Sequence, residues 1–260
     1  MRRILAAALL LVAQPAWAER IVLPFAPPTD RPLVYRIEQY RPVAGKVSAF
    51  TAIRDLRFER TGEGYVLSVT LRSIDTDAPA AGAEPYRAAL EPLVGIPMRF
   101  HLEARGQVVA LDDMGAVWSR VQAGLKAMLN GPNADRQRAA KNVQALFDGL
   151  SPEGRLALLA GEIRPLLLFA ASEVEDGAGR GLRTMAGSPL GRPVPVEGSL
   201  VIAGQDAGAL DLKEILSGEG VQVAIRYHLS RATGLVENQE RSLIVGGQAL
   251  VESRSLTAAK

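Results

Sequence analysis

Two histidines are the side chains of this chain best suited to acid–base or metal chemistry, because an imidazole titrates near neutral pH. His101 lies two residues before Glu103, and His228 lies two residues before Ser230. Each histidine falls on the polar phase of an alternating segment, so we expect both to lie on solvated strand faces. The chain has no cysteine, and two histidines are too few for an ordinary zinc site. No metal and no cofactor are expected.

A serine hydrolase is a further enzyme class that the residue types allow, whereas a pair of glycosidase carboxylates cannot be singled out among 28 acidic residues. The nucleophile of a serine hydrolase usually occupies a Gly-x-Ser-x-Gly turn, whereas in Gly187-Ser188-Pro189 the serine directly follows the glycine. The glycines from Gly177 to Gly181 lack the spacing of a phosphate-binding loop. The acids Glu173, Glu175 and Asp176 lack calcium-ligand spacing and favour the solvated end of a helix. We therefore expect no enzymatic activity.

The N-terminal residues have the pattern of a secretory signal peptide. Arg2 and Arg3 precede an apolar run from Ile4 to Ala13, and Ala16-Trp17-Ala18 matches a signal-peptidase site. The apolar run is too short to span a bilayer. We expect cleavage after Ala18 and a mature chain that begins at Glu19 in the periplasm.

The mature chain is expected to carry almost no net charge. Without Arg2 and Arg3, 28 basic residues face 28 acidic ones. This balance gives no electrostatic reason to expect a nucleic acid or an anionic lipid as partner. The mature chain contains no run of about 18 apolar residues, so no transmembrane segment is expected in it.

Alternating apolar and polar residues predict many antiparallel strands. A proline-rich arm, 19–32, is expected to be extended and poor in hydrogen bonds. A Pro/Ala/Gly-rich link separates two early hairpins, and a Gly/Pro-rich stretch at 177–195 is expected to be a loop or hinge. The predicted strands begin at Leu33 and then cover 53–60, 65–72, 98–102, 108–111, 199–203, 209–216, 221–230, 235–245 and 248–256.

Between the two groups of strands the apolar period changes to about 3.6, which predicts a helical excursion at about 112–172. Asp112 or Asp113 is expected to cap the first helix. Ser151-Pro152-Glu153 is expected to open the third, and Pro165 to kink or end it. The apolar face of the second helix is predicted to comprise Ala139, Val143, Leu146, Phe147 and Leu150.

The predicted fold class is therefore α+β, with a curved antiparallel sheet, or half-barrel, and a helical excursion packed on one face. Residues 19–260 are expected to form a single mature domain. An incompletely covered curved sheet leaves an apolar groove between its layers, in which an aliphatic ligand would lie. The predicted ligand-binding residues are the stripe of the first helix and the all-round apolar run after the third: Trp118, Val121, Leu125, Met128, Leu166 and Phe169.

The segment from Tyr227 to Val236, YHLSRATGLV, resembles a strand, turn and returning strand of poorly characterised exported bacterial sheet proteins. The order of signal peptide, strands, helical excursion and strands is also similar to that of the LolA/LppX-like half-barrel carriers of the cell envelope. This second resemblance implies a convex sheet whose helices line an apolar pocket. The absence of a cysteine after the signal departs from the lipid-anchored members.

The expected function is that of a periplasmic, non-enzymatic binding or carrier protein for an apolar small molecule, a lipid or a lipidated protein. The alternative is an envelope accessory protein that acts by protein contact through a sheet edge or face. A serine hydrolase ranks third.

Overall fold

The computed structural model describes residues 20–175, 179–186 and 193–259. The predicted signal peptide, residues 1–18, lies outside the described residues. So do Gly187-Ser188-Pro189 and part of the glycine-rich segment at 177–181.

Within the described ranges, eleven antiparallel strands form one curved sheet that does not close, here called the main sheet. The predicted α+β class and half-barrel architecture are confirmed. Two short strands, β1 (Arg20–Val22) and β7 (Glu173–Glu175), form a separate pair. The strands of the main sheet, in chain order, are β2 (Leu33–Val43), β3 (Lys46–Thr61), β4 (Gly64–Thr76), β5 (Pro97–Leu102), β6 (Val108–Leu111), β8 (Arg180–Ala186), β9 (Val194–Gln205), β10 (Ala209–Gly218), β11 (Val221–Ser230), β12 (Val236–Val245) and β13 (Gln248–Ala258).

The main sheet consists of two halves. The N-terminal half runs in space from β6 through β5, β4 and β3 to β2, and the C-terminal half runs from β13 through β12, β11, β10 and β9 to β8. The halves meet where β2 pairs with β13, with Tyr35 opposite Leu256. Elsewhere in the main sheet, neighbouring strands are also consecutive in the chain, as in the predicted hairpins and meander.

Four α-helices lie in the described part of the chain: α1 (Ala80–Leu90), α2 (Met114–Leu129), α3 (Ala134–Asp148) and α4 (Pro152–Leu159). Short 3-10 turns follow α1 at Glu91–Leu93 and α4 at Arg164–Leu167. Ser151 begins α4 as predicted, because its side chain accepts a hydrogen bond from the backbone N–H of Gly154. The helices pack on one face of the main sheet, here called the inner face.

The predicted link between the two early hairpins was wrong in one respect, because it contains α1. The helix propensity of the alanines in α1 offsets the destabilising effect of the interior Pro85. Ala83 and Ala88 are buried, so the helix gains tertiary packing that its composition alone does not reveal.

The proline-rich arm is also more structured than predicted. β1 pairs with β7, so Glu173 and Glu175 lie on a strand and not at a helix end, and both form salt bridges with Arg20. Leu23 and Phe25 are buried, which fixes the arm against the rest of the molecule. The predicted loop at 177–195 likewise contains β8, which pairs with β9.

Three details of the helical prediction were wrong. Leu146 is exposed, because the buried face of α3 is formed instead by Ala139, Ala140 and Phe147. Leu168 is exposed within the run predicted to be buried on every side. Neither aspartate caps α2 with its side chain: Asp113 occupies the cap position without a side-chain hydrogen bond.

Candidate functional site: an inner-face cleft

The predicted stripe of α2 faces the main sheet. Trp118 is 4% exposed, and Val121, Leu125 and Met128 are buried with it in the N-terminal core. The Trp118 ring packs against the Phe147 ring of α3 with centroids 5.0 Å apart, and the Arg155 guanidinium lies 5.1 Å from the Trp118 ring centroid. In this structure the stripe is packed core between the helices and the N-terminal half of the sheet.

The run from Leu166 to Phe169 divides between two cores. Leu166 belongs to the N-terminal core, whereas Phe169 packs edge-on against Tyr227 in the C-terminal core, with ring centroids 5.1 Å apart. The structure thus brings five of the six predicted site residues together and places the sixth elsewhere. Their role in ligand binding stays a prediction.

Polar side chains interrupt the inner face where the two halves of the main sheet meet. They are here called the polar stripe and comprise Gln39, Arg54, Gln239, Arg241, Glu252 and Arg254. The strand register places them on one face, since Gln39 is opposite Glu252, Glu252 is opposite Arg241, and Arg254 is opposite Gln239. The stripe separates the two apolar cores.

The centre of the polar stripe is a buried ion-pair network. The Arg254 guanidinium donates to Glu252 at 2.6 Å and to the backbone oxygen of Glu162 at 3.0 Å, and Gln39 Nε2 donates to Glu252 at 2.6 Å. Burial tends to raise the pKa of the Glu252 carboxyl, but Arg254 and Gln39 outweigh it and hold that pKa below its ordinary value. Glu252 is therefore an anion at neutral pH with its oxygens already bound.

Beside this network lies a cleft of about 320 Å³ in the inner face of the C-terminal half. One side is formed by the turn after α4 and the other by β8 and β9, while the floor belongs to β10 to β13. Its apolar lining residues are Leu168, Met185, Ala186, Val196, Leu216, Val223 and Ile225, and its polar ones include Arg164, Glu214, Gln239, Arg241, Glu252 and Arg254. The helices leave this part of the sheet uncovered.

Two polar groups of the cleft lack protein partners. Gln239 is 7% exposed, and its Oε1 atom has no hydrogen-bond partner in the described structure. Arg241 has no carboxylate within 4.0 Å among the described residues. Buried polar groups are nearly always hydrogen-bonded, so the unpartnered Gln239 Oε1 atom points to a ligand or to water. Arg241 is only partly buried.

Two exposed apolar side chains flank the cleft. Leu168 is 54% exposed and Met185 is 57% exposed, one on each side. Together with the apolar floor they form a surface that would retain an aliphatic chain.

The two histidines lie on the outer face of the main sheet, on different halves. His101 Nε2 is 2.5 Å from Asp112 Oδ1, and His228 Nδ1 is 2.7 Å from Asp211 Oδ1. Both are partly exposed, in keeping with their polar phase, and His101 occupies the Asp112 carboxylate that was a predicted helix cap. The described residues include no cluster of three or more potential metal ligands.

The cleft residues of β12 and β13 were not predicted from the sequence. One signal was present: Gln239 and Arg241 share a strand phase with the apolar Leu243 and Val245, and polar residues on a buried phase mark either a network or a site.

Among the described residues, no helix has both the length and the apolarity needed to cross a bilayer.

No protein-family model matches the sequence, and no curated protein matches it. A solved structure titled "lipid-protein interactions in lipovitellin" is similar over 88% of this chain, with 11% identity and a TM-score of 0.39. The match spans 25% of that chain. At this level the likeness assigns no function, and the resemblance to LolA/LppX-like carriers has no support from a sequence family.

Proposed function

We propose that this protein is a non-enzymatic binding protein for an amphiphilic molecule, which it holds in the inner-face cleft. The observation that carries the proposal is the meeting, within one cleft, of an apolar strand floor with the buried, unpartnered Gln239 Oε1 atom and with the partly buried Arg241 guanidinium, which has no carboxylate within 4.0 Å among the described residues. A purely apolar ligand would leave these two groups unpartnered, at a cost in free energy.

The apolar floor supplies the binding energy in this proposal. Val223, Leu216 and Val196 line the cleft beside one another on successive strands. Each methylene group of a ligand that is removed from water here gains about 0.8 kcal/mol. The exposed Leu168 and Met185 would cover the chain from either side.

The proposed setting is the periplasm, as the signal-peptide pattern at residues 1–18 suggests. An amphiphile that must cross an aqueous compartment needs a protein to cover its apolar part. This setting agrees with a carrier role for a lipid or for the acyl chain of a lipidated protein.

The test is binding of a fluorescent fatty-acid probe to the full mature chain, with native mass spectrometry of protein purified from the periplasm. Leu168→Glu and Met185→Glu place a charge in the cleft and should each weaken probe binding at least about tenfold. Ile244→Glu and Val251→Glu are matched controls, because Ile244 and Val251 are exposed apolar residues outside the cleft lining. Equal effects of all four variants would count against the cleft.

A role in protein contact is the second candidate. The strands β8 and β6 end the main sheet, and each has one edge without a paired strand in the part of the chain described here. Such an edge can accept an extended peptide. Absence of probe binding by the wild-type protein, together with pull-down of one partner that Met185→Pro abolishes, would favour this candidate.

A further inference from the structure

We propose that the amphiphile bound in the cleft is a single-chain molecule with an anionic head group, a carboxylate or a phosphate, which pairs with Arg241. This inference rests on the proposed function and specifies its ligand class. It follows from the distribution of charge in the cleft and from the strand register around Arg241.

Most charges that line the cleft are already bound. The Arg254 guanidinium contacts Glu252 at 2.6 Å and Glu162 at 3.5 Å, and Glu214 accepts a hydrogen bond from the Tyr227 hydroxyl at 2.9 Å. Burial and the Glu214 carboxylate together raise the pKa of that tyrosine, so Tyr227 stays a neutral donor.

Arg241 is a cation on the sheet floor that takes part in none of these contacts. It lies opposite Glu252 in the strand register and helps to lower the pKa of that carboxyl, but no Glu252 oxygen lies within 4.0 Å of it. Those oxygens are held by Arg254 on the same strand and by Gln39 on β2. Arg164 adds a second cation without a carboxylate in contact, from the turn after α4, within the described residues. A half-buried guanidinium beside apolar walls favours an anion as its partner.

Gln239 completes the polar end. It lies two residues from Arg241 on the same face of β12, and its side chain is 7% exposed without a partner for Oε1. An amide can turn to present its NH₂ group, so Gln239 offers a neutral donor beside the Arg241 charge. One arginine and one amide match the oxygens of a carboxylate or a phosphate monoester.

The lining residues indicate the course of the apolar part of the ligand. Arg241 on β12 is opposite Ile225 on β11, and the same-phase Val223 on β11 is opposite Leu216 on β10. Val196 on β9 completes the apolar lining in this direction. From β12 to β9 this row crosses three strand spacings of about 4.8 Å, or about 14 Å in all. One extended alkyl chain fits a row of this kind, with its head at Arg241.

The experiment is displacement of the fluorescent fatty-acid probe by four competitors of equal chain length: an alkyl carboxylate, an alkyl phosphate, an alkyl alcohol and an alkyl amine. For the wild-type chain we expect the two anions to displace the probe at concentrations at least about tenfold lower than the alcohol or the amine. Arg241→Gln should weaken the anions about tenfold or more and leave the alcohol unchanged, and Arg241→Lys should restore part of the difference. Arg226→Gln is the matched control, since Arg226 is exposed and pairs with Glu240 away from the cleft.

The outcomes separate the head-group assignment from the cleft itself. Equal displacement by all four competitors, with no effect of Arg241→Gln, would overturn the anionic head group while the amphiphile cleft stands. Failure of every amphiphile, and of the probe, would remove the proposed function as well. Displacement of the probe by inorganic phosphate or acetate alone would indicate a free anion as ligand and overturn the single-chain amphiphile. The wild-type competitor series gives this answer even if Arg241→Gln does not fold.

Discussion

The two halves of the main sheet have similarly apolar inner faces, but these faces are covered to different extents. In the N-terminal half, Phe58, Leu67 and Phe100 are fully buried under the helices. In the C-terminal half, Val223 and Ile225 have the same strand phase and comparable burial, but they line a cleft. The alternation of apolar and polar residues along a strand therefore produces an apolar inner face in both halves. Whether that face becomes closed core or a cleft depends on the layer that packs on it.

The polar stripe explains why the cleft begins where it does. Helices can bury an apolar surface, but covering Gln239, Arg241 and Glu252 would require partners for every polar group. The helical layer ends at the stripe, and the C-terminal half is covered only in part, by β1, β7 and Phe169. The comparison thus predicts large stability effects in the closed half and binding effects in the open half.

Trp118→Ala should give the largest loss of stability. The ring is almost completely buried and packs on Phe147, so its removal should lower the free energy of unfolding by about 3–5 kcal/mol. Chemical denaturation measures this loss. Probe binding by the folded fraction should be unchanged, because Trp118 lies outside the cleft lining. A small stability loss with weakened probe binding would instead favour the groove predicted along α2.

Glu252→Gln should come next, at the junction of the halves. It removes the anion that pairs with the buried Arg254, and we expect a loss of about 2–3 kcal/mol at pH 7, moderated by the remaining Glu162 contact. The pKa of Glu252 is lowered in the folded protein, so its contribution is present above its unfolded pKa of about 4.3 and is lost as the pH falls through the folded value. The stability difference between wild type and variant should therefore shrink in acid. A difference that is constant from pH 7 to pH 3 would contradict the assignment.

The sequence predicts those parts of the fold that repeat locally. β11 alternates over ten residues, and the α2 stripe recurs at helical spacing, so both were found with their buried faces correct. α1 was missed because its burial depends mainly on packing against α3, about 50 residues further along the chain, and not on its own pattern. Pairing of β1 with β7 was missed because it joins segments more than 150 residues apart.

The candidate site was less predictable than the fold for a physical reason. An apolar stripe such as that of α2 has the same sequence pattern whether it faces a core or a ligand. The polar residues Arg241 and Glu252 can be recognised as part of a site only once the strand register places them beside Val223 and Ile225. The polar residues Gln239 and Arg241 on an otherwise apolar strand phase are visible in the sequence, but this pattern does not distinguish a buried network from a site.

Arg54→Met should increase stability. Arg54 is 4% exposed, its Nη1 atom has no partner in the described structure, and burial lowers the pKa of its guanidinium. An apolar side chain of similar length removes that desolvation penalty, and we expect a gain of about 1–2 kcal/mol in denaturant unfolding. Arg72→Met is the control, because Arg72 is exposed and paired with Asp55, and should change stability far less than Arg54→Met does. A loss for Arg54→Met would mean that Arg54 is well compensated.

Replacing the histidines should have the smallest effects on stability. Each half of the main sheet has one histidine on its outer face. His101 and His228 are both partly exposed and each contacts one aspartate, so His101→Gln and His228→Gln should each change the free energy of unfolding by less than about 1 kcal/mol. If the two halves differ only on the inner face, the two variants should behave alike, and neither should change probe binding. Denaturation and probe titration on both variants measure this directly. Loss of probe binding in His228→Gln alone, with folding intact, would extend the functional surface of the C-terminal half to its outer face, and the inner-face cleft would then be only part of the site.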